Sequence, residues 1–224
     1  MTSARDAILG NIRRALDVRG NERIRAQAVA DRLERAPKGV IPARGQRDAE
    51  GRKRLFRERA EAVHTTLVVA PNPESVPEFV AAYLREKNLP AALRIGSDPY
   101  LVSMPWENTV IEVGHGRSDG ADLNAVSHAI AGVAETGTLV LVAGPENPTT
   151  LNFLPDNHIV VLRASDIVGD YESVWKKLRN AYGKGEMPRV VNMVTGPSRS
   201  GDIEQKLLLG AHGPRSLHIV VVEG

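Results

Sequence analysis

Short runs that are apolar at nearly every position punctuate the chain: TTLVVA (65–70), TVIEV (109–113), IVVLR (159–163), VVNMVT (190–195) and LHIVVV (217–222). They constrain the fold more than any other feature. A strand with one face in water alternates apolar and polar residues, whereas a strand apolar on both sides has to be covered on both. Helical segments between the runs supply the cover. Residues 73–87 place Val76, Phe79, Val80, Tyr83 and Leu84 on one helical face, and residues 170–182 read as another helix. Residues 93–96 predict a further strand, and segments 125–130 and 137–143 flank a turn at 134–137. Strands alternating with helices predict an α/β fold whose sheet is parallel or mostly parallel and covered on both faces.

Before residue 64 the texture differs. Ser3 followed by Asp6 resembles a capping box, and Ile8, Leu9, Ile12, Ala15 and Leu16 then recur at helical spacing, predicting an amphipathic helix over 4–18. Residues 51–62 read as a second basic helix, with Leu55 and Phe56 as its apolar contribution. Between the two, Pro37, Gly39, Pro42 and Gly45 give residues 36–46 the composition of a linker. The first 50 residues hold too few large apolar side chains for a core. The predicted organisation is a basic helical arm and linker over 1–50 and an α/β domain over 51–224.

Charge divides in nearly the same place. Residues 1–60 carry 16 Lys and Arg against 8 Asp and Glu, a net +8, and residues 61–224 carry 13 against 19, a net −6. A basic leader invites a nucleic-acid reading, but only one of the nine aromatic residues, Phe56, lies in it. With no stacking platform beside the charge, nucleic-acid binding is not expected. A basic arm on an acidic body suits docking instead, within a homo-oligomer or onto a partner protein.

Composition closes off other classes. A chain of 224 residues, 42% apolar, is long enough for one good core; folding at that size buries roughly 70–75% of the unfolded surface. There is no Cys, which removes disulfides, thiol nucleophiles, Cys-ligated zinc and any self-contained iron–sulfur cluster. The six His (64, 115, 128, 158, 212 and 218) show no HxH, HxxxH or HExxH spacing, so no metal site is predicted. The longest stretch without a polar residue, 139–145, is far below the roughly 18 residues of a membrane span. Asp6 and Asp17 inside the Arg-rich start argue against a transit peptide, and the expectation is a cytoplasmic protein.

In open α/β sheets, ligands gather at the carboxyl ends of strands, so the loops there carry the candidate chemistry. Three stand out. In Ala134-Glu135-Thr136-Gly137-Thr138 a glycine lets the backbone approach a ligand, Thr136 and Thr138 offer hydroxyls to an anion, and Glu135 has the chemistry of a catalytic base or nucleophile. The same residues also fit a plain β-turn with Glu135 solvated. The second loop, from Thr195 through Gly196, Ser198 and Arg199 to Asp202, follows a strand and precedes Ile203, Leu207 and Leu208 at helical spacing. Loop amides, a helix amino end and a guanidinium would converge there on a phosphate or carboxylate, and Ser200 or Asp202 fits equally as a simple helix cap. The third, Gly210 to Ser216, sets His212 near glycines, where it either reaches a site or lies in a connecting turn.

Four segments together carry a family resemblance: AETGTLVL (134–141), LPDNHIVVL (154–162), TGPSRSGDIE (195–204) and GAHGPRSLHIVVVEG (210–224). In this order they resemble the lactate-utilisation protein C family, also called the LUD domain, and the opening ARDAIL (4–9) is similar to the start of that family. The resemblance implies a three-layer αβα fold of the ribose-phosphate isomerase and CoA-transferase type. It also implies a bacterial cytoplasmic setting in which iron–sulfur partner proteins join this chain in oxidising L-lactate to pyruvate.

Chemistry then divides the work between chains. Two-electron oxidation of a hydroxy acid needs a redox carrier, and this sequence holds neither cluster ligands nor a dinucleotide fingerprint, so no cofactor is expected in this chain. The primary reading is a non-redox component that binds a small anionic ligand through Thr136, Gly137, Thr138, Gly196, Ser198, Arg199, Asp202 and His212, with Glu135 as the catalytic candidate. The alternative is a stand-alone isomerase or acyl or CoA transferase on a phosphorylated or CoA-linked small molecule, with Glu135 as base or nucleophile and Arg199 as anion clamp.

Overall fold

Ser3 opens the first helix, α1 (Ala4–Ala15): its hydroxyl accepts from the Asp6 amide at 3.1 Å, the helix cap that the spacing predicts, and donates to Asp6 Oδ2 at 2.7 Å. The helix ends three residues earlier than predicted, and Asp17 turns the chain with φ of 50°. The computed structural model describes residues 3–183, 185–203, 206–210 and 212–224, and within 200–209 the backbone alone. A second helix, α2 (Arg23–Arg35), forms where no element is predicted. Neither α1 nor α2 buries a residue, and Ile8, Ile12, Leu16, Ile24 and Leu33 remain exposed. Helix α3 (Ala49–Ala62) is capped by Asp48, whose side chain accepts from the Gly51 amide, and it buries Leu55, Phe56 and Ala60 completely or nearly so. Burying a side chain the size of Leu or Phe contributes about 1.5–3 kcal/mol, which is what anchors α3.

The chain continues through β1 (Thr66–Ala70), α4 (Val76–Glu86), β2 (Ala92–Ile95), α5 (Pro99–Val102), β3 (Glu112–His115), β4 (Asn124–Ala129), β5 (Ala131–Val133) and β6 (Thr138–Val142). It then forms α6 (Thr150–Phe153), β7 (Asn157–Arg163), β8 (Ile167–Val168), α7 (Tyr171–Tyr182), β9 (Val191–Val194), β10 (Arg199–Ile203), β11 (Lys206–Leu209) and β12 (Ser216–Val222). Six strands make one parallel sheet in the order β1-β12-β7-β4-β2-β3. The α/β class and the mostly parallel sheet predicted from the apolar runs are those observed.

Side-chain alternation inside the runs shows how one strand serves two cores. Ile159 and Val161 of β7, with Val220 and Val222 of β12, pack beneath α4 with Val76, Val80 and Leu84. Their neighbours Val160, Leu162, Ile219 and Val221 face the other way, onto Leu55 and Phe56 of α3 and onto Leu139 and Leu141 of β6. A strand buried on both faces hides its period of two, because both phases are apolar.

A four-stranded mixed sheet, β8-β5-β6-β9, is not anticipated by the sequence. Its Leu139 and Leu141 lie against the main sheet while Val140 packs with Val174 and Leu178 of α7, so it forms a layer between the main sheet and α7. The strand predicted at 109–113 forms later, because the Thr109 hydroxyl donates to the Trp106 carbonyl at 2.8 Å and holds the chain in a turn.

One prediction is overturned. The segment after Arg199 is not helical but two antiparallel strands, with Arg199 opposite Leu209 and Ser200 opposite Leu208. Consecutive leucines satisfy either period, and Gly201 weakens a helix by about 1 kcal/mol, so strand pairing prevails. No helix amino end therefore points at an anion from residues 200–202. Among the described residues no helix is long and apolar enough to cross a membrane.

Candidate functional site

A cleft of about 280 Å³ opens at the carboxyl end of β9 and the amino ends of β7 and β12. That places it at the small end of ligand pockets, which run about 300–1,000 Å³. Gly196, Ser198, Arg199 and His212, four of the predicted site residues, line it together with Thr195, Phe153, Met193 and two fully buried residues, Asn152 and His158. Backbone pairing closes the wall: the Ser198 amide donates to the Pro214 carbonyl at 2.8 Å, and the Gly210 amide donates to the Ser198 carbonyl at 3.0 Å. Gly196 has φ of +79°, and a Cβ there would stand 2.7 Å from the Val63 carbonyl oxygen, so this turn needs glycine. Arg199 donates through Nη2 to the same carbonyl at the end of α3. The Asp202 side chain lies outside the described residues.

The buried side of the lining is polar. The Ser127 hydroxyl donates to Asn152 Oδ1 at 2.9 Å, and His158 Nε2 lies 3.1 Å from Ser127 Oγ. The serine has one proton and spends it on Asn152, so His158 Nε2 is the N–H donor and Nδ1 carries the lone pair, a tautomer assigned from the network. Burial pushes His158 down to about 3, keeping the ring neutral. Two buried atoms of this group, His158 Nδ1 and Asn152 Nδ2, have no hydrogen-bond partner among the described residues.

The first predicted loop stands apart from this cleft. Gly137 has φ of +71°, and a Cβ there would meet the Ala60 amide at 2.5 Å, so the close approach it permits is to α3 and not to a ligand. The Thr136 and Thr138 hydroxyls bond each other at 2.7 Å, and both reach the Tyr171 hydroxyl, at 3.1 and 2.8 Å. Thr138 also reaches the Thr195 hydroxyl at 2.7 Å, where the two loops meet. Glu135 is 4% exposed and faces the Arg44 guanidinium at 3.8 Å. The single pocket expected from both loops is therefore divided, with Glu135, Thr136, Gly137 and Thr138 outside the cleft lining.

Another polar group marks the carboxyl ends of β2 and β4. Asp98 lies 3.0 Å from His128 Nδ1, and it accepts from the Tyr100 amide at 2.8 Å as the cap of α5. Burial pulls the Asp98 carboxyl upward, but His128 and the Tyr100 and Leu101 amides outweigh it and hold the group below the usual carboxylate range.

Residues 118–222, a span that contains every residue lining the cleft, match the LUD domain. That match spans a little under half of the chain. Lactate utilization protein C of Geobacillus thermodenitrificans is 28% identical over 183 residues, which are 75% of this chain and 76% of that protein. Lactate utilization protein C of Halalkalibacterium halodurans is 34% identical over 118 residues, 52% of this chain and about half (51%) of that protein. A crystal structure of a DUF162 family protein from Deinococcus radiodurans superposes with a TM-score of 0.55 at 20% identity, covering 79% of this chain and 99% of that one. That last likeness is one of fold.

Within the matched span the sequence does not single out Ser127, Asn152 and His158. Partners 25 and 31 positions apart cannot be matched from spacing, and only the tertiary fold brings the three together. One signal was present. His158 sits at the entry of an otherwise apolar strand, in LPDNHIVVL, where a polar side chain costs desolvation unless it is bonded.

Proposed function

We propose that this LUD-domain protein serves lactate utilisation by binding a small carboxylate in the cleft, with Arg199 and His212 at the rim as its cationic and hydrogen-bonding groups. The observation that carries the reading is the convergence of four predicted anion-site residues, Gly196, Ser198, Arg199 and His212, around one small cleft inside the matched LUD span. Similarity to two proteins called lactate utilization protein C directs it to lactate and its oxidation product. The resemblance to the lactate-utilisation protein C family implies iron–sulfur partner proteins as the electron carriers, and a sequence without Cys, which supplies no cluster ligands of its own, supports a binding and positioning role for this chain. The basic arm with its exposed apolar residues is the part assigned to docking those partners.

Thermal shift and calorimetry on the purified chain test the binding step. A ligand at 100 times its Kd stabilises a protein by about 2.7 kcal/mol, so L-lactate or pyruvate raises the midpoint and Arg199→Ala abolishes the rise. Pull-downs from lactate-grown cells recover Cys-rich iron–sulfur proteins. Lactate oxidation by the purified chain alone with an artificial acceptor would overturn the non-redox role.

A further inference from the structure

We infer that Phe153 and Met193 give the cleft an apolar wall beside its anion-binding rim, with Gly213 leaving the gap between ring and rim open, so that the site prefers carboxylates carrying a branched or aromatic side chain to lactate with its methyl. The inference rests on the reading of the cleft as a small-carboxylate site and deepens it by naming the class of ligand.

Two sides of opposite chemistry meet across one glycine. A Cβ added at Gly213 would stand 3.6 Å from Ser198 Oγ and 4.0 Å from Phe153 Cδ1, so the serine hydroxyl and the phenyl ring border the same gap in the cleft lining. The Gly213 backbone is not left-handed, so conformation does not demand glycine there, and what the missing side chain supplies is space. Phe153, the last residue of α6, is 40% exposed and Met193 of β9 is 38% exposed, although side chains of both types are ordinarily buried. On the polar side Ser198, Arg199 and His212 line the cleft, and among the described residues no Asp or Glu does.

Lactate leaves much of this space unused. A volume of about 280 Å³ is that of roughly nine waters in the liquid, and with its carboxylate at the rim lactate brings a single methyl to the apolar wall. A branched or aromatic side chain covers the Phe153 ring and the Met193 thioether and displaces the water against them. Each methylene so buried is worth about fourfold in affinity. A second charged group at the far end of the ligand, phosphate or carboxylate, would lose its water against that wall and is disfavoured.

Calorimetric titration of the full chain with L-lactate, L-2-hydroxyisocaproate and L-phenyllactate is the test. The two larger acids are expected to bind about tenfold or more tightly than lactate, the gain from burying two methylene equivalents. Phe153→Ala removes the partly exposed ring and Gly213→Ala puts a methyl into the gap, and each lowers the ratio of larger-acid to lactate affinity by about fourfold or more. Equal binding of all three acids, lost in Arg199→Ala, overturns the apolar wall and leaves the carboxylate cleft standing, and so does a ratio unchanged in both variants. Binding of the larger acids that survives Arg199→Ala, or binding of none, overturns both.

Discussion

The hydroxyl of Thr138 lies 2.7 Å from that of Thr195, joining the turn before β6 to the loop that forms one wall of the cleft. Thr138 is fully buried and also bonds Thr136 and Tyr171, so one side chain ties four hydroxyls together. A threonine expected to hold an anion instead holds the protein.

Thr138→Val keeps the shape and removes the hub. Three hydroxyls lose a partner, and a loss of about 1–3 kcal/mol follows from leaving buried groups unpaired. Urea unfolding measures the loss, and the variant still responds to lactate in thermal shift because the cleft lining is unchanged.

Gly137→Ala is destabilising by more than about 2 kcal/mol. The left-handed backbone costs an alanine about 1–2 kcal/mol, and the new Cβ would lie 2.5 Å from the Ala60 amide, a backbone atom that moves only if α3 moves. Gly144→Ala is the matched control: nothing lies within 4 Å of a Cβ at that position, and its midpoint shifts little. Equal stability of the two variants would remove the packing role given to Gly137.

Arg44→Ala leaves the Glu135 carboxylate, 4% exposed, without its counter-charge. Arg44 itself is more than half exposed, which weakens the pair below the 3–5 kcal/mol of a fully buried one. An expected loss of about 1–2 kcal/mol is largely recovered by adding Glu135→Gln, which removes the stranded charge. Failure of the double variant to recover stability would show that Arg44 acts by packing alone.

Two buried histidines make stability depend on acid. Burial holds His158 down to about 3, and burial holds His218 down to about 4 against the upward pull of Glu86, with the charge of Lys87 adding a smaller downward push. In the unfolded chain both titrate near the ordinary histidine value of about 6.5. Between that pH and the folded values the unfolded state binds more protons, so stability is complete above about pH 6.5 and falls with acidification, by up to about 1.4 kcal/mol per pH unit for each histidine. His218 stacks on Tyr83 with centroids 4.0 Å apart. His218→Phe retains a ring there, and denaturation curves between pH 4 and 7 should show a slope smaller by about one proton.

How much was legible from the residues depended on where each side chain's partner lay. The Ser3–Asp6 cap is a local contact, three positions apart, and spacing finds it. The parallel sheet was legible because strands apolar on both sides require cover on both. The strands after Arg199 are not legible because Ile203, Leu207 and Leu208 fit a helix as well as a strand. Glu135 attracted attention as an acid beside a glycine, yet its neighbour is Arg44, 91 positions earlier in the sequence.

By itself the sequence determined the α/β class, the alternation of strands with covering helices, the absence of cysteine ligands and the four segments that resemble a LUD domain. Those follow from local periodicity and composition, which every residue carries with it. Tertiary structure alone decided that Gly196, Ser198, Arg199 and His212 share a cleft, that Glu135 does not line it, and that Asn152 and His158, which do, both bond Ser127. Whether a polar side chain is a ligand, a cap or a strut depends on which distant atom satisfies it once water is gone, and that pairing exists only after the sheets have packed.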